Sequence, residues 1–280
     1  MKVFFADDSK VSASPHPREK MNDLVSVGGV VVDADAVCSL ENELQELCAS
    51  QDYQIPSREN VKWSPTKKSW LRKNLSGEQR QDLYGKFLDI AAQHDCQTLV
   101  AICDPTLSMA TDEASNHEMD ATLLALERFS TYLGKESGLV VVSRPGGGHK
   151  EADKFLCECV ELKESGTAFV KFQNLAQAPF SQEASRSRIL QLADLVVSIT
   201  TSKVSHSSGY ADKHFEKIVP LFPESSRGVK GGVGLKIHPS LRYRNLYHWI
   251  LGDAYYVERN MGTPLPQMDK PYCKSSERWR

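Results

Sequence analysis

The 280-residue chain contains no stretch near the ~20 consecutive apolar residues that a membrane helix requires, so no membrane partner is expected. It has no surplus of one charge. Lys and Arg total 34 against 36 Asp and Glu, for a formal net charge of -2. A globally basic nucleic-acid coat is thereby excluded, although local patches are not. Cysteines are few, seven in all, odd in number and irregularly spaced. The first six residues run straight into Asp7-Asp8, unlike a secretory signal. Together these features predict a reduced, cytoplasmic protein without a disulfide framework. Cys157 and Cys159 stand two apart in a helical pattern and so point to different sides, which reads as core thiols rather than a metal pair. The eight histidines form no HExxH and no zinc spacing, and neither GxxxxGK[ST] nor GxSxG is present. Gly146-Gly147-Gly148 follows a strand-like run but lacks the GxGxxG fingerprint.

What remains is an ordinary globular composition, 40% hydrophobic and 25% charged, in a chain long enough to bury a sizeable core. Apolar runs at 2–6, 24–32, 97–103, 139–142 and 168–172 predict strands. Between the first two, residues 12–20 carry Pro15 and Pro17 and read as loop. Apolar residues at helical spacing predict helices over 35–49, 78–92, 116–133, 151–162 and 189–200. The last of these is apolar almost all round and so is expected to be buried. Strands first meander and then alternate with helices. That order predicts an α/β protein with a mixed central sheet flanked by helices, a helical insertion after the second strand, and a looser C-terminal extension from residue 205 to 280 packed on the 1–204 domain.

Asp7 and Asp8 close the first strand, where α/β folds build their sites, though adjacent strand residues face opposite ways. Asp194 lies within the apolar helix, where a charge costs several kcal/mol unless paired or bound to metal. Its bland explanation is an exposed stripe or a bond to Lys203 or Arg188; Gln191, one turn earlier on the same face, favours a site. Glu127 sits beside Arg128 on the longest helix, with Glu118 and Asp120 competing nearer the start. Asp104 ends a strand before Pro105, where turn chemistry competes with a ligand role. Acids converging from strands and helices suit hard cations, above all Mg²⁺ or Mn²⁺. Two segments are locally basic: 57–74, with Lys62 and Trp63, and 225–251, with Arg242 and Arg244. Cations of this kind neutralise phosphates and interleaved aromatics can stack on bases, or each segment is a solvated face over buried aromatics.

The segments FFADDSK, LVSVGGVVVD, VKWS, LLALERF and ILQLADLVVSITT occur in an order that resembles the family called domain of unknown function 3800. The resemblance spans roughly residues 2–204. It implies a ribonuclease H-like fold and a metal-dependent nuclease, a hydrolase linked in some relatives to mobile elements or antiphage defence. It implies Asp7, Glu127 and Asp194 as catalytic acids, with Asp7, Asp8, Glu127, Asp194 and Asp104 available to Mg²⁺ or Mn²⁺. Lys62, Trp63, Arg242 and Arg244 would contact nucleic acid, DNA or RNA. Two positions depart from the family pattern. Ser143 stands where the fourth strand should lead to an acid, and Lys10 replaces a glycine. One metal would then be held weakly, or Asp104 or Glu151 recruited. A degenerate nucleic-acid-binding or protein-interaction module, with a partner protein, is the competing expectation.

Overall fold

In the first strand both sets of alternating side chains are apolar, which fits a strand covered on both faces. In the computed structural model, which describes residues 1–12, 18, 21, 23–105, 117–146, 148–258 and 261–274, β1 spans Lys2–Val11. Val3 and Phe5 enter one core cluster, Phe4 and Ala6 the other. β2 (Leu24–Asp33) returns antiparallel, from Lys2 opposite Asp33 to Val11 opposite Leu24. β3 (Gln97–Cys103) pairs antiparallel with β2. β4 (Gly138–Ser143) pairs parallel with β1, but only along Lys2–Ala6. β5 (Phe180–Gln182) and β6 (Leu235–His238) add parallel edges. The strand order is β5-β4-β1-β2-β3-β6, with β2 alone reversed.

Helices cover both faces. α4 (His117–Leu133) and α5 (His149–Ser165) pack on one core cluster. α1 (Val37–Ala49), α3 (Gly77–Gln93), α6 (Arg188–Ser205), α7 (Ala211–Ile218) and α8 (Ser240–Leu251) build the other, with the short α2 (Trp70–Asn74) beside them. α3 opens with a capping box: Ser76 accepts from Gln79 N at 3.1 Å, and Gln79 answers Ser76 N at 2.9 Å. The apolar α6 is buried over nearly its whole length, as its sequence predicts. Its approach to the sheet depends on Gly29. A Cβ there would lie 2.1 Å from the Phe5 carbonyl oxygen and 2.7 Å from the Ala193 methyl.

Three expectations need correction. Residues 168–172 form no strand; Val170 and Phe172 pack into the core as part of a loop, and the edge strand is the three-residue β5. β1 runs on to Val11 instead of ending at the aspartates, because β2 keeps pairing with it after β4 has stopped. The C-terminal extension is more regular than its prolines and glycines suggest. It supplies α7, β6, α8 and the hairpin β7 (Tyr255–Glu258) and β8 (Met261–Pro264), and β6 extends the sheet beyond β3. Most of the 12–20 loop lies outside the described residues. Among the described residues no helix is long and apolar enough to cross a membrane.

Candidate functional site

β1 loses its β4 partner after Ala6 but keeps β2, and Asp7 borders a small recess at this point. By strand alternation Asp7 shares the face of Phe5, under α6, and Asp8 shares that of Ala6, under α4. The two acids therefore meet different company. Asp7 feels the charges of Asp194, Asp8 and Lys62. Asp8 feels Glu118, Lys10 and Lys62, and Lys10 is paired to Glu118 at 2.9 Å.

Burial holds the Asp7 carboxyl well above the ordinary carboxylate range, with Asp194 and Asp8 adding repulsion and the Asp8 N–H and Lys62 pulling it back. Burial likewise pushes Asp194 up to about 6, against a bond from the Trp63 N–H and the attraction of Lys62. The pair is thus a place where negative charge is under-compensated.

The Gln191-x-x-Asp194 turn of α6 does a second job. Gln191 Oε1 accepts the Val61 N–H at 3.1 Å, and Asp194 Oδ2 accepts the Trp63 N–H at 2.9 Å. Between them the Lys62 carbonyl accepts the Tyr84 hydroxyl at 2.7 Å. Three bonds on three consecutive residues fix this stretch of backbone, and the exposed Lys62 side chain remains to reach the field of Asp7, Asp8 and Asp194. The Trp63 ring packs near Tyr84 and His214, with centroids 5.4 and 5.6 Å away. Neither cation proposed as a bland partner for Asp194 serves it. Lys203 pairs with Asp212 at 2.5 Å, and Arg188 bonds Gln45, Gln191 and the carbonyls of Pro56 and Glu59.

Glu127 does not join this group. It is buried on the flank of α4 away from β1, accepting the Thr167 hydroxyl at 2.6 Å with Arg128 3.7 Å away. The α4 acid near the site is Glu118, which borders a recess of about 20 Å³ together with Asp7, Asp8, Thr122 and Ser143. Ser143 follows Val142, the residue opposite Ala6, and so lies level with Asp7 on the next strand. Asp104 is fully buried two strands from β1 and accepts the Tyr243 hydroxyl. Glu151 is exposed in the first turn of α5.

Arg242 and Arg244 lie on α8, beside β6 at the sheet edge three strands from β1. Arg244 is buried, 4.7 Å over the Tyr256 ring and 3.1 Å from Gln267 Oε1, so it fastens the C-terminal hairpin instead of facing a nucleic acid. Arg242 lies 5.8 Å from the Tyr243 ring centroid.

Among the described residues no three His, Cys, Asp or Glu side chains close into a metal-binding group. Asp7 and Asp194 nonetheless supply the oxygen chemistry that suits a hard cation. Mg²⁺ is usually held by one or two carboxylates and keeps several waters. The donor set fits one such ion better than two. No protein-family model matches this chain, and no curated protein matches its sequence.

Proposed function

We propose that this α/β protein is a metal-dependent nuclease of ribonuclease H-like fold, hydrolysing phosphodiester bonds at the Asp7–Asp194 site. The observation that carries the reading is the pair itself: two carboxyls with raised pKa brought from β1 and α6 to the place where β4 leaves β1. A central β1 with a meander on one side and parallel strands on the other supports the fold assignment. Asp7 and Asp194 would hold Mg²⁺ or Mn²⁺, with Asp8 and Glu118 at the adjoining face. When bound there, a divalent cation supplies Lewis acidity and a water of lowered pKa. Lys62, fixed by the clamp on its backbone, would hold a phosphate oxygen. Trp63 walls one side. Nucleic acid is then the partner, in a cytoplasmic setting such as antiphage defence.

Purified protein should cut DNA or RNA with Mn²⁺ and stop cutting with EDTA. Asp7→Ala should lose orders of magnitude in rate. Glu127→Gln should leave cutting unchanged, because its carboxyl is engaged with Thr167. Inertness toward both nucleic acids with either cation would overturn the reading.

Ser143 favours a second reading. With a hydroxyl level with Asp7 where the resemblance calls for an acid, the fold could serve as a degenerate module that binds nucleic acid or a protein without cutting. Ser143→Asp separates the two: a rise in rate marks a weakened enzyme, and no rate in either form marks the module.

A further inference from the structure

Beside the acid site lies a cleft of about 1060 Å³, walled by residues 63–65, the start of α3, the end of α6 and the start of α7. It is larger than the typical 300–1,000 Å³ small-molecule site. Four cations line it, Lys10, Arg72, Arg80 and Lys213, against two acids, and Lys10 is already paired with Glu118. Of those acids, Asp82 is already engaged by Lys86 at 3.0 Å and by the Tyr53 hydroxyl at 2.5 Å. Arg72 and Lys213 are exposed. Tyr210, also in the wall, is 71% exposed, an unusual state for so large an aromatic. Trp63 and Lys10 belong to both places: Trp63 bonds Asp194 through its backbone, and Lys10 lies three residues beyond Asp7 on β1. The cleft therefore adjoins the site acids through Trp63, although none of Asp7, Asp8 and Asp194 lines it.

We propose that this cleft is the binding channel for a single nucleic-acid strand, with Arg72 and Lys213 on its phosphates and one unpaired base stacked on Tyr210. The proposal rests on the nucleic-acid part of the reading above and not on cleavage. Single strand is favoured over duplex because a duplex hides its base faces in the stack and shows only edges in its grooves. A lone exposed ring beside cations can use only a splayed base. In the basic segment at 225–251 Tyr243, Arg244 and Tyr247 are buried, and Trp249 is half-buried with its indole N–H on the Tyr272 carbonyl.

The test is titration of labelled oligo-dT and oligo-U, and of a hairpin duplex, in EDTA so that no cutting intervenes. The single strands should bind more tightly than the duplex. Tyr210→Ala should weaken them about tenfold, with Tyr210→Phe restoring most of the loss. Arg72→Ala and Lys213→Ala should each weaken binding and reduce the slope of log affinity against log salt by about 0.7. All three side chains are exposed, so the melting temperature should hold and report intact folding. Unchanged affinity and slope in these variants, tighter duplex binding, or no binding by the wild type overturns the channel. Separately, the wild type is incubated with the same oligonucleotides and Mn²⁺. Binding without cutting keeps the channel and sinks the nuclease; cutting that the cleft variants bind normally for does the reverse.

Discussion

Asp194 carries two opposed demands in one side chain. Its carboxyl must accept the Trp63 N–H, yet its charge sits in a half-buried, poorly solvated place near Asp7. With the folded pKa raised to about 6 from 3.8, the folded chain binds the proton more tightly than the unfolded one. Its contribution is therefore most favourable below about pH 4 and is lost as pH rises toward 6, by roughly 3 kcal/mol. The metal-free protein should accordingly show a melting temperature that falls across that window, apart from whatever other groups add. Asp194→Asn should flatten the fall and raise stability at pH 7, since the amide oxygen still accepts from Trp63. Asp194→Ala removes the acceptor as well and should gain less. Thermal scans of the three forms from pH 4 to 7 decide it; equal curves for Asn and wild type would show that the charge is compensated.

Arg244 makes a contrasting case. Over the Tyr256 ring and bonded to Gln267, it holds a helix to the hairpin beyond it. Arg244→Ala should cost about 1–3 kcal/mol of stability and leave the salt dependence of nucleic-acid binding unaltered. Denaturant melts and salt titrations measure the two separately.

At the scale of elements, legibility followed the length of the apolar pattern. β1, β2, β3 and β4 have both faces covered, so their sequences read as continuous apolar runs. β5 has only Phe-Ser-Gln and no pattern to find, while the apolar Val170 and Phe172 mimic a strand because the core needs their side chains without their backbone. The resemblance points to Glu127 in LLALERF, but the helical angle favours Glu118. On α4, Ala125 packs into the core beside the sheet. At about 100° per residue Glu118 lies about 20° from Ala125, and Glu127 about 200°. The wheel alone points Glu118 toward the site. The clamp of Gln191 and Asp194 on residues 61–63 was not legible, because side-chain bonds to distant backbone leave no periodic trace. The α6–β2 contact gives a further expectation. Gly29→Ala must push α6 or β1 aside and should cost roughly 1–3 kcal/mol, with the acid pair displaced as well. Paired melts and activity assays should show both losses together.

At the scale of the molecule, the C-terminal extension is structural. β6 covers the edge of β3, and α7 and α8 complete the core around α6. A chain ending at residue 204 would expose that edge and the apolar flank beside it, and should be recovered as aggregate. Soluble, cooperatively melting 1–204 would contradict this.

The placement of β1 also sets a timetable. Its β2 partner follows almost at once, but β4 arrives after residue 138 and α6 only after residue 188. Positions 7 and 194 are separated by 187 residues, so at about 5–20 residues per second the ribosome needs roughly 10–40 s between them. Until β4 is made the free edge of β1 is open, and until α6 is made the apolar face that it covers stays bare. A ribosome that stalls before α6 leaves a chain without its acid pair and with the face that α6 covers exposed to chaperones and proteases, so chemistry at this site can begin only after α6 has been made.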